Sequence, residues 1–123
     1  RNRPAVLLTG DLAFLHDTNG LLSCGKLQGH LTIIVINNQG GGIFEMLPIA
    51  QFEPPFTEFF VTPQSVQLRP LCAAYGVEYG VIETWEQLIR LINPLPREGV
   101  RLLEVGCDRR VDQERRRVLL GEY

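Results

Sequence analysis

Short apolar runs recur along this chain and alternate with segments whose apolar residues follow helical spacing. The clearest run, Leu31 to Ile36, is rich in β-branched residues and is typical of a buried strand. Three further runs, each too short for a helix, also predict strands: Ala5 to Leu8, Val77 to Ile82 and Val100 to Val105. The continuously apolar Ala5–Leu8 run predicts a strand that is buried on both faces.

The intervening segments predict helices, including one whose start is marked by the capping-box pair Thr84 and Gln87. We expect a loop and then a helix between Leu12 and Leu27, and helices over Leu68–Tyr75, Trp85–Ile92 and Asp108–Leu120. The apolar face of the Trp85–Ile92 helix is expected to be Trp85, Leu88, Ile89 and Ile92, with Trp85 in the core. Strands that alternate with helices predict an α/β fold, a three-layer α/β/α arrangement around a mostly parallel sheet.

Two polar clusters follow the first two predicted strands. Thr9-Gly10-Asp11-Leu12 closes one apolar run, and Asn37-Asn38-Gln39-Gly40 closes the next. Ligands of parallel α/β sheets gather beyond the carboxyl ends of strands. The clusters supply a carboxylate, amide oxygens and glycine carbonyls, and Mg²⁺ that holds a diphosphate favours such oxygen ligands.

Each cluster also has an ordinary structural interpretation. Asp11 alone fits a helix N-cap, and Asn37-Asn38 alone fits a turn. At neighbouring strand ends and followed by Gly40-Gly41-Gly42, the pair favours a metal–diphosphate site. Glycines admit close approaches that a Cβ would block, and free N–H groups after Asp11 could bind phosphate oxygens.

Other nucleotide motifs fit less well. Gly20 to Lys26 matches the spacing of a P-loop, but Leu27 replaces the Ser or Thr that would contact Mg²⁺, and no strand precedes it. The glycine run lacks the dinucleotide pattern, because Glu45 stands where the last glycine belongs. His16 and His30 have no nucleophile nearby, which favours structural or surface roles over catalysis.

Composition bounds the remaining classes of function. The 123 residues fit one domain, and the net charge of −2 argues against a nucleic-acid partner. Three cysteines without a CxxC pair suit a reducing, cytoplasmic compartment, and no apolar run is long enough to span a membrane. Because the chain starts at Arg1 without Met, almost on its first strand, we expect it to be a piece of a longer protein.

The sequence around the two clusters resembles that of a known family. Gly10-Asp11 followed by Asn37-Asn38 resembles the cofactor motif of thiamine-diphosphate-dependent enzymes. The longer stretches Gly10–Leu21 and Val35–Phe44 resemble one branch, the 2-succinyl-5-enolpyruvyl-6-hydroxy-3-cyclohexene-1-carboxylate synthase family of menaquinone and phylloquinone biosynthesis. Phe59–Pro63 and Ala73–Val77 resemble that branch too. The resemblance implies that residues 1–123 are the C-terminal part of the diphosphate- and Mg-binding domain.

The family pattern also implies roles for individual residues. Asp11, the Asn38 side chain and the Gly40 carbonyl would be ligands of Mg²⁺ (or Mn²⁺). The implied cofactor-binding set is Gly10, Asp11, Leu12, Ala13, Asn38, Gly40, Gly41, Ile43 and Phe44. Within it the amides of Leu12 and Ala13 would hold the diphosphate, and Ile43 and Phe44 would lie against cofactor and substrate. Ala13 stands where the family often has Ser, so a side-chain contact to phosphate is lost there.

The implied activity is decarboxylation of 2-oxoglutarate followed by 1,4-addition of the succinyl carbanion equivalent to isochorismate. The family's activating glutamate lies in a separate N-terminal domain of a partner subunit, so this chain alone is expected to be inactive and to hold no catalytic residue. A homodimer or homotetramer with the active site at a subunit interface is expected. The alternatives are another thiamine-diphosphate enzyme, of the acetohydroxyacid synthase or 2-oxoacid decarboxylase type, and a non-catalytic α/β module.

Overall fold

The fold is built on a four-stranded, all-parallel sheet. A computed structural model describes residues 3–121. The two ends of the predicted 1–123 domain, including Arg1, lie outside the described residues. The strands are β1 (Ala5–Gly10), β2 (His30–Asn37), β3 (Glu78–Ile82) and β4 (Gly99–Gly106). Their order across the sheet is β1-β2-β4-β3. All four predicted strands are confirmed, as is the α/β class.

Within residues 3–121, four α-helices connect or follow these strands: α1 (Asp11–His16), α2 (Leu68–Tyr75), α3 (Trp85–Ile92) and α4 (Arg109–Leu120). Helix α2 ends at Gly76 in the left-handed conformation. Helix α3 begins with the predicted capping box, in which the Thr84 hydroxyl accepts from the Gln87 N–H and the Gln87 side chain bonds back. Helix α4 is capped by the Asp108 carboxylate, and its hydrogen bonds from the Arg110 and Val111 amides lower the pKa of Asp108.

Two apolar clusters cover opposite faces of the sheet, because successive strand residues point to opposite sides. On one face Ile33, Val35 and Leu102 pack with α1, α2 and the segment between α1 and β2. On the other face Ile34, Ile82 and Leu103 pack against α3. The predicted three-layer arrangement is therefore confirmed.

The prediction that the first strand is buried on both faces is wrong. β1 lies at the edge of the sheet, and Val6, Leu7 and Leu8 are 47%, 46% and 67% exposed. Its sequence is apolar on both sides, but among the described residues β1 pairs only with β2. An apolar run shows that a strand can be buried, whereas its actual burial depends on the elements that pack beside it.

The prediction that Trp85 belongs to the core is also wrong. Trp85 is 76% exposed and Ile89 is 57% exposed. Leu88 and Ile92 do pack on the sheet, as expected. Helix α3 connects β3, the other edge strand, to β4. The part of its apolar face that carries Trp85 and Ile89 is not covered by the described strands.

Two segments are more regular than expected. The helix α1 starts at Asp11 with no loop before it, and a 3₁₀ segment, Thr18–Lys26, follows it. The long segment after β2 contains short helical turns at Gly42–Met46, Pro48–Gln51 and Thr57–Val61. No helix among residues 3–121 is long and apolar enough to cross a membrane.

Candidate functional site

Asp11 lies where β1 passes directly into α1. The N-cap residue is Gly10, which has no side chain to cap the helix, so the N-cap interpretation of Asp11 does not hold. The Asp11 carboxylate is buried, with the residue 6% exposed, and Oδ2 accepts a 2.7 Å hydrogen bond from the Gly40 N–H. This bond joins the two strand-end clusters that the sequence separates by 29 positions.

The second cluster forms a tight turn at the end of β2. The Asn37 side-chain oxygen accepts a 3.1 Å hydrogen bond from the Gln39 N–H. Gln39 and Gly40 both have positive φ, 59° and 125°. A left-handed conformation is unfavourable for a residue with a Cβ, so this turn needs support from its surroundings.

The three glycines after this turn are explained by close approaches. A Cβ on Gly40 would overlap the Val61 carbonyl, and one on Gly41 would lie 2.6 Å from the Phe60 carbonyl oxygen. The Gly41 N–H donates to the Val61 carbonyl over 2.8 Å. The glycine run therefore lies directly against the Thr57–Val61 turn, and the predicted need for close backbone approach is confirmed.

Asn38 projects beside the third glycine. A Cβ on Gly42 would lie 2.6 Å from Asn38 Nδ2. Among the described residues no hydrogen bond joins the Asn38 side chain to Asp11, and the link between the two clusters is the bond from the Gly40 N–H. The Gly40 carbonyl accepts a 2.9 Å bond from the Gly42 N–H and, like any carbonyl, keeps a second lone pair.

The donor set suits a hard divalent cation that keeps other ligands. Asp11 Oδ1 receives no hydrogen bond from the described residues and so keeps its lone pairs for another ligand. Over residues 3–121 no three His, Cys, Asp or Glu side chains form a metal cluster. One carboxylate with amide and carbonyl oxygens is instead the composition that Mg²⁺ uses when phosphate completes its octahedron.

The remaining predicted residues surround this point at different depths. A Cβ on Gly10 would meet no atom within 4 Å, so the strand end faces open space. Leu12 and Ala13 lie in the first turn of α1, where N–H groups lack partners inside the helix. Ile43 is 69% exposed. The Phe44 ring packs edge-on against Phe60, with centroids 5.9 Å apart.

An ion pair anchors the segment that carries these two side chains. Glu45, 8% exposed, accepts a 2.8 Å bond from the Arg109 guanidinium, and the Gln113 amide donates to the Glu45 carbonyl. This pair fixes the Gly42–Met46 turn to α4. The sequence offers no local signal for this pair, because Glu45 and Arg109 are 64 positions apart.

Sequence reasoning also missed a polar group beneath the Asn37 turn. Tyr79, Glu104 and Asn37 line one cavity of about 490 Å³ together with Asp11 and Arg69. Tyr79 donates to Glu104, and burial, followed by this bond, raises the pKa of Tyr79 to about 12. The available signal was Glu104, an acidic residue near the carboxyl end of a mainly apolar strand.

The two histidines stay outside this site. His30 begins β2, at the opposite end from Asn37, and is 4% exposed. Its Nδ1 donates to the Glu98 carbonyl over 2.9 Å, since a carbonyl can only accept, and its Nε2 lies 2.7 Å from the Thr32 hydroxyl. His16 is exposed at the end of α1.

A parallel α/β sheet that joins a buried Asp to a glycine turn at neighbouring strand ends defines a class of cofactor-binding domain. The family model described as "Thiamine pyrophosphate enzyme, C-terminal TPP binding domain" matches residues 1–105. The chain therefore belongs to this thiamine pyrophosphate enzyme family.

Proteins similar to this chain carry a more particular name. It is 63% identical over 112 residues to a 2-succinyl-5-enolpyruvyl-6-hydroxy-3-cyclohexene-1-carboxylate synthase of Trichodesmium erythraeum, covering 91% of the chain and 19% of that protein. Synthases of the same name from Synechococcus sp. and Gloeothece citriformis are 60% and 53% identical, over 94% and 99% of the chain. The chain spans about a fifth of the length of these relatives, 19% and 21% in the last two.

Proposed function

We propose that this chain is the C-terminal part of the thiamine-diphosphate domain of a 2-succinyl-5-enolpyruvyl-6-hydroxy-3-cyclohexene-1-carboxylate synthase. The natural protein would decarboxylate 2-oxoglutarate and add the succinyl carbanion equivalent to isochorismate in menaquinone or phylloquinone biosynthesis. The hydrogen bond from Gly40 to Asp11 carries the proposal, because it unites the two halves of the cofactor motif. The identity of 53–63% to proteins of that name supports the particular reaction.

Within this proposal Asp11, Asn38 and the Gly40 carbonyl hold Mg²⁺ (or Mn²⁺). Two observations support those roles: Asp11 Oδ1 receives no hydrogen bond from the described residues, and the Gly40 carbonyl keeps a second lone pair. The amides of Leu12 and Ala13 bind the diphosphate, with Gly10 leaving open space at the strand end and Gly41 allowing the turn to pack against the Phe60 carbonyl. When bound, thiamine diphosphate supplies the carbanion chemistry, and the protein positions it and excludes competing reactions.

The exposed apolar residues of the segment after β2 contact the substrate or a neighbouring subunit in this proposal. Ile43 is 69% exposed, and Phe59 and Phe52 are 68% and 56% exposed. Such a patch is typical of a buried interface or ligand site in the assembled protein. It supports a homodimer or homotetramer whose active site lies at the interface, which the mass of the natural protein in solution tests directly.

The proposal includes a cytoplasmic location and no nucleic-acid partner. It is supported by Cys24, Cys72 and Cys107, which are all free thiols, and by the net charge of −2. Burial raises the pKa of each thiol, so none is activated as a nucleophile.

The decisive experiment assays the natural protein that carries this sequence. We expect turnover with isochorismate and 2-oxoglutarate, and none with pyruvate alone. Turnover of pyruvate without isochorismate would instead support an acetohydroxyacid synthase or decarboxylase. The isolated 123-residue chain is expected to be inactive.

Cofactor binding is tested separately from turnover. Thiamine diphosphate with Mg²⁺ should raise the Tm of the natural protein but not that of its Asp11→Ala variant. Asp17→Ala, which removes an exposed carboxylate beyond the same helix, is the matched control and should respond like the wild type. A wild type that shows no ligand-induced shift would support the non-catalytic module.

A further inference from the structure

The Glu104 carboxylate lies beneath the turn that bears the proposed metal ligands. Glu104 on β4 is in register with Val35 on β2 and Val81 on β3, two residues before the strand end at Gly106. Because side chains alternate along a strand, Glu104 shares its face of the sheet with Leu102 and Val35. It is a carboxylate beside the apolar cluster of that face, within hydrogen-bond distance of the Asn37 side chain.

Both oxygens of Glu104 accept hydrogen bonds from neighbouring strands. The Tyr79 hydroxyl on β3 donates to Oε2, and the Asn37 side-chain amide on β2 donates to Oε1 over 2.6 Å. Glu104 therefore connects three strands at one point. The Arg69 guanidinium lies 4.7 Å from the Tyr79 ring centroid, which fixes the ring from above.

Asn37 is in turn held at three places. Its amide group donates to Glu104, its side-chain oxygen accepts from the Gln39 N–H, and its backbone carbonyl accepts from the Cys107 N–H over 2.9 Å. The bond to Gln39 closes the turn in which Gln39 has a φ of 59°. The orientation of the Asn37 amide thus determines whether this unfavourable conformation is supported.

We propose that Glu104 is a positioning residue for the metal site: it orients Asn37, whose turn brings Asn38 and Gly40 to Asp11. The inference rests on the proposed function, since it assigns Glu104 a role toward the Mg²⁺–diphosphate group. In this proposal Glu104 supplies no ligand atom. Asn37, the first residue of the asparagine pair, holds the turn through its side chain, while Asn38 offers the ligand oxygen.

Three variants of the natural protein test this role, with Mg²⁺ affinity measured calorimetrically at saturating thiamine diphosphate. Glu104→Ala should weaken Mg²⁺ binding by about 10- to 100-fold, the usual effect of losing a group that orients a metal ligand. Glu104→Gln should restore binding to within about threefold, because its amide oxygen can still accept from Asn37 and its NH₂ can donate to Tyr79. Glu78→Ala removes an exposed carboxylate from β3 and should leave the affinity unchanged.

A second measurement needs no cofactor, and it includes a variant that keeps the core packing. Tyr79→Phe removes only the hydroxyl that anchors Glu104, so it preserves the packing of the ring. Hydrogen exchange of the peptide that contains Gln39 and Gly40 should quicken in Tyr79→Phe and Glu104→Ala, and not in Glu78→Ala. It should be close to wild type in Glu104→Gln.

The outcomes separate the two proposals. If the wild type binds no Mg²⁺–thiamine diphosphate, the proposed function fails and the role of Glu104 fails with it. If the wild type binds and Glu104→Ala lowers only the Tm, with unchanged Mg²⁺ affinity and unchanged exchange at the turn, Glu104 is merely structural and the inference is overturned. Weakened binding that Glu104→Gln rescues supports the inference, as does faster exchange at the turn in Tyr79→Phe when Glu104→Ala does not fold.

Discussion

Gly42→Ala gives a sharp test of where the Asn38 side chain must lie. A Cβ at position 42 would stand 2.6 Å from Asn38 Nδ2, while ordinary contact begins at 3.4 Å, so the amide must retreat by about 0.8 Å. Gly42 does not have a positive φ, and the substitution therefore acts through this contact rather than through backbone strain.

A displacement of that size is large for a magnesium ligand. Mg²⁺ demands near-ideal octahedral geometry, and ligand distances tolerate only about 0.2 Å of change. We expect Gly42→Ala to weaken Mg²⁺ binding by about 10- to 100-fold, or about 1.4–2.8 kcal/mol. Calorimetric titration of the natural protein with Mg²⁺ at saturating thiamine diphosphate measures this change.

Gly20→Ala is the matched control. It adds the same methyl group to a helical-turn glycine where a Cβ meets nothing within 4 Å, so Mg²⁺ affinity should not change. The added methyl of Gly42→Ala would also lie 3.3 Å from the Cβ of Arg109, which offers a second route to the same loss.

A double-mutant cycle distinguishes these two routes. If the methyl group added at position 42 acts through Asn38, introducing Gly42→Ala into an Asn38→Ala protein causes no further loss of affinity. An equal loss in both backgrounds would refute the reasoning, as would a Gly42→Ala affinity within twofold of the wild type.

Three further predictions concern charge and titration. Asp11→Asn keeps the acceptor for the Gly40 N–H but removes the negative charge, so Mg²⁺ affinity should fall at least about 100-fold by the same titration, with Asp17→Asn unaffected. The side chains of Arg109 and Glu45 are 17% and 10% exposed, so Arg109→Ala leaves the Glu45 carboxylate buried without its partner. The free energy of opening the Gly42–Met46 turn, measured by hydrogen exchange, should fall by about 2 kcal/mol, more than it does in Glu45→Gln. Because the pKa of Tyr79 is raised from 10.0 to about 12, its neutral form stabilises the fold fully below pH 10 and loses that contribution as the pH rises toward 12. The stability difference between wild type and Tyr79→Phe should therefore shrink over that interval, and a constant difference would contradict the shift.

The sequence predicted the elements well because their signals are local. Short apolar runs predicted all four strands, and the Thr84–Gln87 capping box predicted the start of α3. It failed where an element's neighbours decide the outcome. Leu8 belongs to a fully apolar strand and Trp85 to an apolar helical face, yet both are exposed because each element lies at an edge of the sheet.

The candidate site shows the same division. Gly10-Asp11 and Asn37-Asn38 could be placed at strand ends from their positions alone, and the parallel pairing of β1 with β2 brings those ends together. The hydrogen bond between Asp11 and Gly40 could not be read from the pattern, because it depends on the conformation of Gln39. The roles of individual residues toward a metal stay predictions.

A ligand motif names the atoms that bind, but residues far along the chain fix where those atoms lie. The turn that carries Asn38 is held from below by Glu104, which is 67 positions from Asn37, and from the side by Val61, which is bonded to Gly41. The first contact depends on which strands pair and the second on how the segment after β2 folds back, and neither is visible in the motif itself. Grafting both motif segments onto another parallel sheet would therefore reproduce the ligands without the site. The graft should bind Mg²⁺–thiamine diphosphate more tightly with Glu or Gln than with Ala at the position equivalent to Glu104, and equal binding with alanine there would show that the motif alone suffices.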